Sequence, residues 1–538
     1  MKNRYEPGKF VWLWGPVVVV LLGFWHLLDV RAGVWESGDR FLYVWDGFLM
    51  VSSIVITVAA GWLLFRKKAS MERIFAVCGL FLGILYLTVL PPLSAPDEVS
   101  HYISAYRLSS VLLGQPAADE EGRVYIREQD AFILDGSLEP GEGFLETGEE
   151  VGASVLGQTL TEQTYRPIHD VGIGKQGDNE LVTTIRTPVA TTPVAYLPQA
   201  LGIAVGRLLG LGGIGLLYLG RLGNLMFYVA AVWYGMKRLP FGKEILFGVC
   251  LVPMTLHLTA SFSYDTMILA LSFLFTAVCL DLAYGAGSVR KRDVVLLAAV
   301  MAALGPCKMV YAVLMGLCLL IPVKKFGGRR AWILSAVLVL AAYGAAMVLV
   351  NSQTIAMYAG ETESYVGWAE ESGYTLGGLL HDPVNMLKIF YNTVLLQGEQ
   401  YHTTMIGASL GNLDGVLNVP YILIVSMTIG ILLMAMKKPG TETVYFSVKQ
   451  KIWIWFLCLA CAGATMLSML IAWTPASSGI ILGVQGRYFL PFLPVLVMTF
   501  KNNWVILQKN RDRGILYFMI CANGYVLLRL FSIVSIRI

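Results

Sequence analysis

The chain has 538 residues, of which 56% are hydrophobic and 14% charged, with a formal net charge of +4. Soluble proteins carry about 25% charged residues, so this composition excludes a soluble globular enzyme, a disordered protein and a disulfide scaffold. It leaves a polytopic membrane protein, and so small a charge gives no reason to expect a nucleic-acid partner.

A helix needs about 20 apolar residues to cross the hydrocarbon core. In chain order the apolar stretches predict spans at 10–28, 41–65, 73–90, 213–236, 244–262, 266–284, 331–350, 416–436, 451–473, 486–500 and 514–532. The stretch 293–323 is too long for one helix and is interrupted at Gly305, Pro306 and Lys308, so it predicts two short spans and a total of thirteen. Lys2, Arg4 and Lys9 precede the first run, and no A-x-A-like site follows it, so it reads as an anchor and not a cleaved signal. The expected fold is an all-α polytopic membrane protein: residues 1–72 are a two-helix N-terminal extension and 73–538 one membrane domain.

Basic residues test this path. Of 40, 25 fall in seven short loops or tails, among them 66–73, 237–243, 290–292, 324–330, 437–451 and 501–513. Each lies where an alternating path needs a cytoplasmic turn. The N-terminus is then cytoplasmic and the C-terminus outside, where Arg537 runs mildly against the rule. Two long segments, 91–192 and 351–415, also fall outside. The first holds 17 acids against six basic residues. Segment 193–212, with Pro193, Pro198 and several glycines, reads as a juxtamembrane or half-inserted helix. All eight cysteines sit in or beside apolar runs, and Cys458 and Cys461 read as small buried hydrophobes.

Residues 210–215, GLGGIG, match G-x-G-x-x-G, but apolar helices flank them where a dinucleotide site needs a strand before the glycines. SAPDEVSHYISAYRLSS (94–110) is more informative. Val99, Tyr102, Ile103, Tyr106 and Leu113 recur at helical spacing and predict an amphipathic helix on the outer membrane surface. Asp97 and His101 share a face, with Glu98 turned about 100° away. Ser94 as N-cap and Asp97 as the acid of a capping box would explain part of this, but not Glu98 and His101 beside them. Asp265 in ASFSYD, Lys308 at the outer turn of the broken pair and Arg487 in GVQGRYFLP converge on the same membrane face. Any one alone would be an interfacial anchor. Together, carboxylates and cations at the headgroup level suit a substrate that is both lipid and phosphate. His402 and Asp414 lie in the second outer segment, and His402 reads as structural.

PPLSAPDEVSHYISAYRL (91–108), TPVAYLPQALG (192–202), LGRLGN (219–224), SFSYD (261–265), CKMVY (307–311), GASLGNLDGVLNVP (407–420) and GVQGRYFLP (483–491) together resemble a bacterial family known as domain of unknown function 2142. That family is similar to the C-type, polyprenyl-phosphate-dependent glycosyltransferases, in which an acidic residue or pair in the first large outer loop is catalytic. The superfamily usually places that loop after its first span, whereas three precede it here. The resemblance implies a bacterial plasma-membrane glycosyltransferase with a polyprenyl-(pyro)phosphate sugar donor and a cell-envelope glycan, lipid or protein hydroxyl as acceptor.

Carried onto this sequence, Asp97 is the expected base, Glu98 supports it or joins it on a divalent cation (Mg or Mn, not required), and His101 orients it. Arg487 and Lys308 are expected on the phosphate, and Tyr488, Asp265, Arg221 and Asp414 on the rest of the substrate. A glycan polymerase or ligase shares these features. A lipid-linked-sugar flippase is the reading from another class, and it would place ionisable groups near the bilayer midplane.

Overall fold

The computed structural model describes residues 11–135, 165–174, 177, 179–184, 188–189, 191–359, 365–440 and 445–537. The basic N-terminal tail and many acids of the first outer segment lie outside these residues. The helices are α1 (Trp14–Ser37), α2 (Phe41–Gly61), α3 (Met71–Val89), α4 (Glu98–Leu112), α5 (Glu128–Asp135), α6 (Arg166–Asp170), α7 (Leu197–Leu208), α8 (Gly213–Arg238), α9 (Lys243–Cys250) and α10 (Pro253–Thr259). They continue as α11 (Asp265–Tyr284), α12 (Lys291–Cys307), α13 (Arg329–Ala359), α14 (Leu376–His381), α15 (Pro383–Ile406), α16 (Tyr421–Ala435), α17 (Val448–Ala472), α18 (Leu493–Met498) and α19 (Asp512–Ser535). Two small antiparallel pairs, β1 (Tyr125–Arg127) with β2 (Leu181–Thr183) and β3 (Tyr365–Val366) with β4 (Glu371–Ser372), sit in the two long segments 91–192 and 351–415.

Among the described residues eight helices are long and apolar enough to cross a membrane: α1, α2 with its continuation to Arg66, α3, α8, α11, α13 up to Ser352, α17 and α19. The other five expected spans are short or broken helices below that length. Expected span 244–262 is broken into α9 and α10 before Pro253; 309–320 is a 3-10 helix; 486–492 is a 3-10 turn leading into α18; α12 and α16 have 17 and 15 residues. Backbone exposed at such breaks must be satisfied inside the protein. Asn523 does this at the first break, donating to Leu251 O at 2.8 Å while accepting from Tyr86 Oη at 2.8 Å. Asn224 does it beyond α10, donating to Ser261 O at 2.7 Å and Ser263 O at 3.2 Å.

One expectation about the segment that follows α3 changes. Helix α4 forms at the predicted place, but Val99, Tyr102, Ile103 and Tyr106 are buried, and so are Ser104, Ala105, Ser109 and Ser110. It packs inside the protein under α7 and does not lie exposed on the interface, because the chain at 193–208 covers its second face. Segment 193–212 is a 3-10 turn and α7. At 12 residues α7 spans about 18 Å, too short to cross. It pairs with α8 through backbone approach: a Cβ on Gly202 would lie 2.1 Å from Leu219 O, and one on Gly223 2.4 Å from Pro198 O. GLGGIG runs from the turn between these helices into the first residues of α8, with Gly210 left-handed at φ 71°. All eight cysteines are free thiols.

The basic turns gather at one end of the bundle. Arg513 donates to Leu64 O at 2.6 Å and Ala69 O at 3.2 Å, Lys451 to Lys501 O at 2.5 Å, and Arg238 pairs with Asp281 and Asp293. The candidate residues gather at the opposite end.

Candidate functional site

The turn after α3 carries the first acid. Residues 89–96 and 98–99 are buried, and Asp97 alone among them is exposed. Its backbone is left-handed, φ 54° and ψ 18°, a region that favours glycine. It occupies the N-cap position of α4, yet its side chain makes no capping hydrogen bond. Ser94 does not cap either, donating instead to Pro91 O at 2.6 Å. The capping-box explanation of Asp97 therefore fails on geometry. A strained, exposed carboxylate with no side-chain partner among the described residues is the kind of residue a functional surface retains.

Glu98 has the opposite circumstances, and its expected part beside Asp97 is corrected. It is fully buried and held by Arg221, whose Nε donates to Oε1 at 2.7 Å and Nη2 to Oε2 at 2.6 Å. Its oxygens also accept from Ala95 N at 3.0 Å and Phe262 N at 2.8 Å. Burial alone would raise its pKa, but the guanidinium and the two backbone N–H groups hold the carboxyl below the ordinary glutamate value. Arg221 donates further to Leu90 O at 2.6 Å and Pro91 O at 2.9 Å. Both side chains are fully buried and turned to protein partners, so Arg221 as a substrate contact is corrected too. Together they lock the end of α3, the start of α4, α8 and the loop before α11.

A divalent cation on Asp97 and Glu98 does not fit this arrangement, because both Glu98 oxygens are already held. Among the described residues no group of three or more His, Cys, Asp or Glu side chains is placed to hold a metal.

His101 follows one turn later and does not hydrogen-bond Asp97. Its Nδ1 lies 2.6 Å from Tyr196 Oη, and its ring packs edge-on against Tyr264 at 5.2 Å. Burial pushes its pKa down, against the opposing pull of the Asp97, Asp265 and Glu98 carboxylates. The imidazole is thus fixed by the 3-10 turn Pro193–Tyr196 and by the SFSYD loop.

The cations come from two other elements. Gly486 lets its loop press onto α15: a Cβ there would lie 2.1 Å from Tyr401 O and 2.4 Å from Met405 N. The next residue, Arg487, has its Nε 2.9 Å from Asp265 Oδ2, but the N–H is not aligned on the carboxylate and makes no hydrogen bond. Lys308 is half-buried at the turn between α12 and the 3-10 helix Met309–Leu320, with Nζ 3.3 Å from the centre of the Tyr488 ring. It makes no ion pair among the described residues, and burial pushes its pKa down to about 8. Tyr488 is held in place through its backbone, where Tyr311 Oη donates to its carbonyl at 2.9 Å.

The structure therefore brings Asp97, His101, Asp265, Lys308, Arg487 and Tyr488 to one end of the bundle. Asp414 is not with them. It pairs with Arg537, Nη1 to Oδ2 at 2.5 Å, and also accepts from Val416 N at 2.9 Å. That pair answers the objection Arg537 raised, since the C-terminal arginine meets its counter-charge in the 407–420 loop. His402 is structural as read, its Nε2 2.9 Å from Thr428 Oγ1.

Sequence reasoning missed Tyr196 and Tyr264, which hold His101. It also missed His257, buried in α10 with neither ring nitrogen hydrogen-bonded. A histidine inside an apolar run was a readable signal for the last. Arg221 carried the same signal, since a lone arginine within a span needs a buried partner.

Comparison with known proteins gives a family and nothing closer. No curated protein and no solved structure matches the chain. The sequence model of a family described as "Predicted membrane protein (DUF2142)" matches residues 80–496, more than half of the chain, and leaves out α1, α2 and α19. The chain belongs to that family, DUF2142.

Proposed function

We propose that this multi-pass membrane protein is a glycosyltransferase of the C-type, moving a sugar from a polyprenyl (pyro)phosphate to a hydroxyl of a cell-envelope glycan, lipid or protein at the outer face of a bacterial plasma membrane. The observation that carries the reading is Asp97, exposed and strained, on the same end as two cations whose charges the protein leaves incompletely matched. In the reaction the acceptor oxygen bonds to the anomeric carbon, and the bond from that carbon to the phosphate oxygen breaks. Asp97 takes the acceptor's proton. The phosphate leaves with the electron pair, towards Arg487 and Lys308. Arginine offers a fork to two phosphate oxygens, and lysine a point charge. Tyr488 and Asp265 face the same space and suit sugar hydroxyls. His101 lies on the same end, is held by Tyr196 and does not bond Asp97.

Asp97→Asn tests the reading. Asn tolerates the left-handed backbone but is no useful base near neutral pH. Turnover of a defined lipid-linked sugar should fall about 10²–10⁴-fold with thermal unfolding unchanged. Near-parent turnover would remove Asp97 from the chemistry. On orientation, an impermeant thiol reagent on intact cells should label a cysteine at Pro140 and not one at Lys324; the reverse pattern would put the site on the wrong face.

A second reading, a flippase for the same lipid, draws support from the break between α9 and α10 with His257 beyond it, since transporters place discontinuous helices and ionisable groups inside the bilayer. Lipid movement in vesicles without any glycan product would favour it.

A further inference from the structure

A large cavity lies at the basic end, away from the site described above. It is a cleft of about 970 Å³ between the turn after α2, the start of α9, α16 and the start of α19. Arg511, Asp512, Arg513 and Glu244 line its polar part. Asp512 is neutralised by the buried Lys438 ammonium in close contact with it. Arg513 is tied to the backbone oxygens of Leu64 and Ala69 but keeps its charge. Lys501 is buried near these groups, its Nζ 4.0 Å from the Tyr445 ring centre and without a hydrogen-bond partner among the described residues. Arg511 is exposed, and its guanidinium makes no ion pair or hydrogen bond among the described residues. Lys509, with Arg511, lines an adjoining cleft of about 530 Å³. Of the two lining acids, Asp512 is matched by Lys438 and Glu244 lies within electrostatic reach of Lys501. That leaves Arg511 and Lys509 facing open space, so the cleft favours an anion.

The cleft also opens sideways. Ile429, Leu433 and Phe518 line it and are 49%, 37% and 40% exposed. A second cavity, about 310 Å³ and apolar, continues from it along α19, between α1 and α16, lined by Trp14, Val18, Leu22 and Leu423. Gly514 and Phe518 line both. Gly514 sits in the first turn of α19, and a Cβ there would meet nothing within 4 Å.

We propose that this pair of cavities holds one anionic glycerophospholipid, its phosphate at Arg511 and one chain in the groove between α1 and α16. The shape is that of a lipid: a cationic pocket at the membrane surface joined to an apolar channel running toward the middle of the bilayer. Basic pockets between helices are a recurrent way to hold anionic headgroups, and lipid-facing apolar walls suit a hydrocarbon chain. The channel is walled chiefly by α1 and α19, both outside residues 80–496. The extension and the C-terminal helix thus gain a binding role that the rest of the family region does not supply.

The test uses the full chain in mild detergent, titrated with dioleoylphosphatidylglycerol or dioleoylphosphatidylcholine and followed by native mass spectrometry. The parent should hold one phosphatidylglycerol at least tenfold more tightly than phosphatidylcholine. Arg511→Gln should cut that preference about tenfold, the scale of a lost charge-assisted contact. Gly514→Phe fills the junction and should abolish retention of either lipid, whereas Gly514→Ala should keep it. Both Gly514 changes favour the helix, and if the Phe variant nevertheless fails to fold, Arg511→Gln decides. Equal affinity for the two lipids, undiminished retention in Gly514→Phe, or displacement of the lipid by millimolar inorganic phosphate would each overturn the proposal.

Discussion

Asp97 and Glu98 are neighbours in sequence and opposites in structure. Glu98 is at 1% exposure with all its acceptor positions taken by Arg221 and two backbone N–H groups. Asp97 is exposed, left-handed and uncapped. The clamp has nothing to offer a ligand, and the open site has nothing to offer the fold. An acid of the first kind secures geometry, and one of the second kind remains available for chemistry. The cations divide in the same way. Every nitrogen of Arg221 donates to a protein oxygen, whereas among the described residues Arg487 has a misaligned carboxylate and Lys308 an aromatic ring. The contrast is physical and can be broken by experiment.

The largest effect should come from the clamp. Glu98→Gln or Arg221→Leu leaves a buried charge or its partner uncompensated, which costs about 3–5 kcal/mol. Folded yield and the unfolding midpoint in detergent should fall sharply. The double change Glu98→Leu with Arg221→Leu should not recover, because Leu90 O, Pro91 O and the Phe262 N–H would also lose their partners. Parent-like stability in either single variant would show that the pair is not structural.

Arg487 belongs to the open side, so its loss should appear in binding before stability. A charge-assisted hydrogen bond contributes about 1.5–3 kcal/mol, so Arg487→Ala should weaken binding of a polyprenyl-phosphate donor roughly ten- to a hundredfold. Arg487→Lys should fall between, keeping charge without the fork. Donor titration by tryptophan fluorescence gives the order. If the Ala variant binds like the parent, Arg487 is an anchor.

Lys308 sharpens the comparison through pH. Its ammonium, held near pKa 8 by burial, is charged below that pH and neutral above it. Donor affinity should therefore fall as pH rises above about 8, by at most tenfold per unit. Stability of the donor-free protein should move the other way. Between about 8 and the ordinary lysine value the unfolded chain keeps a proton that the folded one has released, so stability rises with pH. Lys308→Arg, charged throughout, should flatten both trends. Affinity unchanged from pH 7 to 9.5 would remove Lys308 from the phosphate site.

Much of this arrangement was readable in the sequence, for identifiable reasons. Apolar runs of membrane length, punctuated by Lys and Arg, fixed where the chain turns. The breaks were harder. Pro253 lies inside 244–262 and Pro491 and Pro494 inside 486–500, yet a proline alone does not say whether a helix kinks or ends. At 244–262 the freed backbone is met by Asn523 and Asn224, which come from distant helices. The site was half legible for the same reason. Residue type and membrane face singled out Asp97, Lys308 and Arg487. That Glu98 turns inward could not be read, since it depends on Arg221, 123 positions away, and on the backbone reversal at Asp97.

That reversal supplies the smallest and most discriminating test. An L-residue in the left-handed region costs roughly 1–2 kcal/mol, less for Asp, and glycine avoids it. Glycine also gives the unfolded chain more freedom, which costs about 0.5–1 kcal/mol. Asp97→Gly should therefore leave stability unchanged or raise it by up to about 1 kcal/mol, because no capping bond is lost. The same change removes the carboxylate and should abolish transfer. One position would then lose activity without losing stability, while Glu98, the adjacent residue, unfolds the protein when altered. A drop of more than about 1 kcal/mol in Asp97→Gly would mean that the side chain holds the turn after α3 together. The distinction between the two acids would then collapse, and the strain at Asp97 would be an ordinary feature of that turn.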